Sequence, residues 1–245
     1  MTIPVNLEVL AKNAWRGVKR GDIIIVIDVF RCCSTIITAL HNGAKGILPV
    51  KTVKEAIKIH KENRDWLLAG ERRARKPEGF HLGNSPLEFV RENVKGKIII
   101  ITTTDGTKAL RNASGAEVIL IGALLNASSV AECVVKIAQK KGKGITIVAS
   151  GIKGRVSLED FLCAGLIIES MEHFDVSFSD SARCALLASK GAGNRLSDIV
   201  QESGHANYLK SIGLMEDVKY CSQVNLYPLV PRVGERGIIT LENSL

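Results

Sequence analysis

A chain of 245 residues can bury its own core, and its six cysteines form no C-x-x-C pair and have no histidines spaced to complete a zinc site, which points to reduced thiols. The formal charge of +8 favours anionic partners, yet only Arg72, Arg73, Arg75 and Lys76 cluster, with Phe80 the one aromatic near them, so nucleic acid is not expected. No segment approaches twenty uninterrupted apolar residues and no basic-then-apolar leader opens the chain, so the reading is a soluble, cytoplasmic protein without a membrane partner.

The first predicted strand, "IIIVI" at 23–27, runs straight into Asp28 and Arg31. Thr52-x-x-Glu55 then reads as a capping box opening a helix, "DWLLAG" as a strand leading to Glu71, Arg72 and Arg73, and Ser85-Pro86-Leu87-Glu88 as a second helix start. Apolar strands follow at 98–101, 117–121 and 145–149, with helix starts at Ser129-x-x-Glu132 and Ser157-x-x-Asp160. Ile- and Val-rich strands alternating with helical periods predict an α/β fold, a three-layer arrangement of a largely parallel sheet with flanking helices. The segments "IIIVIDVFRCCSTIITALHNGAKGILPV" and "KIIIITTTDGTKALRNASGAEVILIGAL" align as a weak internal repeat. Two readings stay open: duplicated lobes, about 1–125 and 126–245, or one unit over 1–245 in which two β-α-β-α-β stretches look alike. The remainder, roughly 175–245, carries less pattern.

Ligands of open α/β sheets bind beyond the carboxyl ends of strands, where loops converge. Asp28 and Arg31, then Glu71 with its arginines, "TTTDGT" and "SGIKG" all follow predicted strands and would gather at one end of the sheet. Each has a plainer alternative: Asp28 suits a helix cap or an ion pair with Arg31, "TTTDGT" an ordinary Asp-Gly turn, and Asp160 is already the fourth residue of a capping box. Familiar phosphate motifs are missing. There is no G-x-x-x-x-G-K-[ST], Leu196 spoils the dinucleotide fingerprint begun at Gly191, and Phe30 stands where an aspartyl-nucleophile phosphatase needs a second acid.

Taken in order, "VIDVFRCCSTIITALHNGA", "GERRARKPEGFHLGNSPLEF", "TTTDGTKAL", "LLNASSVAE", "SLEDFLCAG" and, more loosely, "DVKYCSQVNLYPLVP" resemble the 2-phosphosulfolactate phosphatase family over roughly residues 23 to 231. The resemblance implies a Mg²⁺-dependent hydrolase that removes phosphate from (2R)-2-phospho-3-sulfolactate, a step towards coenzyme M in methanogens. Three departures stand out: Cys32-Cys33 where Ala-Thr is expected, Asp105 where Asn is expected, and no acid after the first glycine of "SGIKGR". The alternatives are a phosphatase of another small phosphorylated hydroxy acid and a non-catalytic anion-binding domain.

On this reading Asp28 and Glu71 are the first metal ligands for Mg²⁺, followed by Asp160 and Glu159. Arg31 and Arg72 bind the phosphate or sulfonate as forks, Thr103, Gly106 and Thr107 add donors, and Asn84 and Ser85 receive a second anionic group of the small anionic substrate. Alternation in an extended loop turns Arg72 into the site and Arg73 away from it. Cys32 and Cys33 are expected not to be nucleophiles. A homodimer is compatible with such a fold, but the sequence does not specify one.

Overall fold

The computed structural model describes residues 2–241, and in it ten strands form one sheet. They are β1 (Ile3–Glu8), β2 (Ile23–Ile27), β3 (Gly46–Pro49), β4 (Leu67–Gly70), β5 (Ile98–Thr102), β6 (Ile119–Gly122), β7 (Ile145–Ala149), β8 (Val176–Phe178), β9 (Pro231–Val233) and β10 (Ile239–Leu241). The helices, in chain order, are α1 (Trp15–Arg20), α2 (Cys32–His41), α3 (Val53–Glu62), α4 (Arg91–Val94), α5 (Gly106–Asn112) and α6 (Ala127–Lys141). There follow α7 (Leu158–Glu169), α8 (Asp180–Ala192), α9 (Leu196–Gln201), α10 (Gly204–Ser211) and α11 (Met215–Cys221). Among the described residues no helix is long and apolar enough to cross a membrane.

The continuous apolar run of β2 is explained by helices on both faces. Ile23, Ile25 and Ile27 pack with Val130 and Val134 of α6 and Ile167 of α7, while Ile24 and Val26 pack with Ile36 and Ile37 of α2 and Leu110 of α5. A third, smaller cluster places Ala56 of α3 against Leu68 and Ile100. This is the expected three-layer α/β arrangement.

The strand order is β4-β5-β3-β10-β9-β6-β2-β7-β1-β8. β4, β5 and β3 pair in parallel, as do β6, β2, β7, β1 and β8, and the antiparallel β9–β10 hairpin joins the two groups, reversing direction between them. So the sheet is parallel only within each group. The twist of about 20–25° per neighbouring pair accumulates over the five steps from β5 to β2, so opposite pairing sense does not keep their carboxyl ends apart. Exchanging β2, β3 and β4 with β5, β6 and β7 turns the order of these six strands into its own reverse, and a cut at residue 125 would separate β2 from its neighbour β7. The less patterned stretch after 175 supplies β8, four helices and the joining hairpin.

Two predicted helix starts are used differently. α6 opens at Ala127, leaving Ser129 inside its first turn, because Asn225 reaches across to accept from Ser128 N at 2.8 Å. Ser85-Pro86 opens only a three-residue 3₁₀ turn, since the Ser85 hydroxyl is spent on Asp217 and Glu88 accepts from Gly83 N instead. Thr52 and Ser157 cap α3 and α7 as expected.

Candidate active site

The loops after β2, β4, β5 and β7 converge on one cavity of about 500 Å³, closed on its remaining side by the first turns of α7 and α10. A larger cavity of about 890 Å³ lies between α3, α5 and the β9–β10 hairpin. It holds none of the candidate site residues, and its Glu117 is tied to Lys141 and Lys143.

Asp28 ends the buried β2 and is itself buried on the cavity wall. Its Oδ1 accepts from Cys32 N at 3.2 Å, so it does serve as the cap foreseen for α2, but Oδ2 lies over Gly106. A Cβ at Gly106 would sit 2.5 Å from that oxygen and 2.5 Å from Cys32 Cβ, so only glycine lets α5 start this close to α2. Burial pushes the Asp28 carboxyl up to about 6, against a downward pull from His205, and Asp105 and Glu159 add repulsion. Burial likewise raises the Cys32 and Cys33 thiols far above their ordinary value, with Asp28 opposing a thiolate at both.

Glu71 faces the same cavity with both oxygens occupied by backbone donors, Oε1 by Thr104 N at 2.7 Å and Oε2 by Ala74 N at 2.8 Å. It therefore ties the loop after β4 to the loop after β5. Its neighbours are placed opposite to expectation. Arg72 turns into the protein, donating to Glu71 O, Thr102 O, Thr102 Oγ1 and Lys51 O, and does not line the cavity. Arg73 does line it. Alternation fails because this is a tight turn, with φ of 54° at Arg73 and 63° at Ala74, and not an extended strand.

Arg31, at the start of α2, is buried on the wall, and Nη1 donates to Asp217 Oδ2 at 2.6 Å while Nη2 donates to Ala74 O at 3.1 Å. Asp217 of α11 also accepts from Ser85 Oγ at 2.6 Å, so Ser85 braces the arginine's partner and stands behind the cavity. Asn84 does reach the cavity. Its Oδ1 is the one buried side-chain polar atom among the described residues without a hydrogen-bond partner. Of the proposed cradle, Thr103 lines the cavity, whereas Thr107 turns back, donating its hydroxyl to Thr103 O and its N–H to Thr103 Oγ1.

Asp160 does not complete its capping box. Its Oδ1 accepts from Val29 N at 2.9 Å and its Oδ2 from Ser150 Oγ and Gly151 N at 3.1 Å, joining the loops after β2 and β7. Burial, then the charges of Asp28 and Glu159, hold its carboxyl well above the usual range. Glu159, also buried, meets His205 Nδ1 at 3.0 Å; burial alone would raise it, but the His205 contact brings it below its ordinary value. Two of the three departures, Asp105 and the "SGIKGR" loop, meet on the rim, where Lys153 N donates to Asp105 Oδ2 at 3.4 Å.

Five carboxylates thus face one space with Arg31, Arg73, Lys153 and His205. Among the described residues, no three His, Cys, Asp or Glu side chains are grouped closely enough to hold a metal ion by themselves. Asp28, with one hydrogen bond to its carboxylate, is the acid with most acceptor capacity left, whereas Glu71, Asp160 and Glu159 are already engaged.

His205 and Asp217 are the functional residues missed in the sequence. Ser203 caps α10 and so places His205 in its first turn, but "SGHANYL" carries no motif. Asp217 looks like an ordinary first-turn acid, and only the burial of Arg31 explains it.

A family model for 2-phosphosulpholactate phosphatase matches residues 10–236 of the chain. The chain is 43% identical over 219 residues to a probable 2-phosphosulfolactate phosphatase of Caldanaerobacter subterraneus subsp. tengcongensis, covering 88% of this chain and 89% of that protein. Proteins so named from Thermotoga petrophila and Clostridium perfringens are 43% identical over 207 residues and 40% identical over 231. Those alignments cover 84% and 92% of this chain and 87% and 92% of the relatives.

Proposed function

The chain belongs to the 2-phosphosulfolactate phosphatase family, a family of phosphoric monoester hydrolases, and we propose that it hydrolyses (2R)-2-phospho-3-sulfolactate to 3-sulfolactate and phosphate with Mg²⁺ in the acidic cavity. A destination of the product in coenzyme M synthesis is part of the proposal. The observation that carries the reading is the convergence of Asp28, Glu71, Asp105, Glu159 and Asp160 on one cavity of about 500 Å³.

The donor set fits a hard cation. Asp28 and Asp160 hold protons more tightly than solvated carboxylates, first because they are buried and then because neighbouring acids repel their charge, and Asn84 Oδ1 has no hydrogen-bond partner. Asp28 would hold the ion, with Glu71 able to join through the lone pair that its one backbone hydrogen bond leaves on each oxygen and with water and substrate oxygens completing the shell, as suits Mg²⁺ with one or two carboxylates. When bound, it supplies charge neutralisation on the phosphoryl oxygens. Asp160 then acts on the architecture, holding the loops after β2 and β7 in register.

Arg31, locked by Asp217 and Ala74 O, presents its guanidinium to the substrate in a fixed place, so little ordering cost remains when an anion arrives. Arg73 and Lys153 stand on the rim as two further cationic groups for the carboxylate and the sulfonate, one group being unable to neutralise both. Phosphate release from a panel of phospho-hydroxy acids with and without a sulfonate, run with Mg²⁺ and with EDTA, tests this. Turnover should be greatest with the sulfonate and lost on chelation. Preference for an acid without sulfonate would replace the substrate, and no release from any compound would make the chain an anion-binding domain.

A further inference from the structure

His205 lines the cavity and no step so far uses it. Its Nδ1 faces Glu159 at 3.0 Å, and Glu159 is almost completely buried, with its own position held by α7. The edge of Phe30 meets the imidazole at 5.9 Å between centroids and 81° between planes, so the ring is held from a second side by the loop that carries Asp28 and Arg31. A buried carboxylate on Nδ1 fixes which nitrogen is spoken for and leaves Nε2 for the cavity. Glu159 is spent on this contact and is not assigned to the metal.

We propose that His205 is the general acid of the reaction, with Glu159 as its positioning residue. This rests on the phosphatase reading. A secondary alkoxide is a poor leaving group and needs a proton as the ester bond breaks, which neither Arg31 nor the hydroxyls can readily supply. Water oxygen bonds to phosphorus; the P–O bond to C2 breaks with its electron pair going to the C2 oxygen, and that oxygen takes the Nε2 proton. Water's protons stay on the phosphate as dihydrogen phosphate, which returns one to Nε2 and leaves as hydrogen phosphate. The balance is ester plus water giving hydroxy acid plus hydrogen phosphate, with His205 restored.

The test compares two leaving groups in the Mg²⁺-loaded full chain: 2-phospho-3-sulfolactate, which needs the proton, and 4-nitrophenyl phosphate, whose phenolate does not. For His205→Asn and His205→Gln, kcat on the alkyl ester should fall by about 10²- to 10⁴-fold, with KM little changed and the aryl ester slowed less than about tenfold. Glu159→Gln should show the same selectivity with a smaller loss. Thermal unfolding of each variant separates catalysis from folding. Equal losses on both esters, or no loss on either, would overturn the assignment. A folded wild-type chain releasing phosphate from neither ester would instead sink the phosphatase reading beneath it.

Discussion

The turn after β4 and the turn after β7 have the same backbone and different chemistry. Arg72 and Arg75 exchange N–H to O bonds at 2.9 and 3.2 Å, and Ile152 and Arg155 do so at 3.0 and 2.9 Å. In each the two central residues have positive φ, 54° and 63° at Arg73 and Ala74, 49° and 75° at Lys153 and Gly154. Each puts its first central residue, Arg73 or Lys153, on the cavity. The residue before the first turn is Glu71, which ties down two backbone N–H groups; before the second it is Gly151, whose own N–H is tied down by Asp160 from α7. The first turn has its acid beside it in the chain and the second borrows one from a helix. A tight turn with both central residues left-handed therefore directs a cation, while the flanking residue decides where the acid comes from. The reversed strand order is what sets these two turns on a common space.

Four expectations sharpen this comparison. Asp28 sets the scale: Asp28→Asn should lower kcat by at least about a hundredfold with the fold intact, and Glu71→Gln should lose less because its carboxamide oxygen can keep one backbone donor. Full activity in Asp28→Asn, or after exhaustive chelation, would return Asp28 to the role of a cap.

The second is a pH effect on stability. In chelator the folded chain holds the Asp28 proton up to about pH 6 whereas the unfolded chain releases it near 3.8, so the Asp28 contribution to stability is fully present below that lower value and is lost as pH rises through the window. The loss should be about 3 kcal/mol, following the size of the shift. Urea denaturation of wild type against Asp28→Asn across this range checks it. Mg²⁺ should restore the lost stability at neutral pH and have little effect at acid pH; a flat wild-type profile would contradict the burial of an uncompensated acid.

The third concerns the two arginines. Arg73→Lys should cost about tenfold in kcat/KM by replacing a fork with a point charge, and Arg72→Lys should leave KM nearly unchanged while costing about 1–2 kcal/mol of stability through its lost backbone contacts. Steady-state kinetics and denaturation of both variants decide this, and a larger kinetic effect at Arg72 would reverse the facing described here. The smallest effect tests the turn backbones alone. Ala74→Gly should stabilise and Gly154→Ala should destabilise, each by about 1 kcal/mol, because only glycine adopts the left-handed region without strain. Equal stability of the four combinations would show that the two turns are not equivalent.

By itself the sequence determined the local facts. Apolar runs at 23–27, 98–101 and 145–149 specify strands buried on both faces, and Thr52 and Ser157 specify helix starts, because these depend on a few neighbouring residues. Asp28, Glu71 and Thr103 just after strands pointed to the cavity, since loops at the carboxyl ends of strands hold the ligands of α/β sheets, and they are found there with Asn84 and Asp160; that strands of two oppositely directed groups share that cavity was not legible. Tertiary structure decided the rest. The β9–β10 hairpin that joins the two parallel groups pairs with its neighbouring strands through one residue on each side, too little to leave a pattern. Arg31 meets Asp217 across 186 positions and His205 meets Glu159 across 46, and such partners cost nothing visible in local sequence. Arg72 and Arg73 are adjacent and chemically alike; which one faces the substrate depends on two left-handed backbone angles, and those are imposed by the contacts of Glu71 and Arg31 with the loop between them.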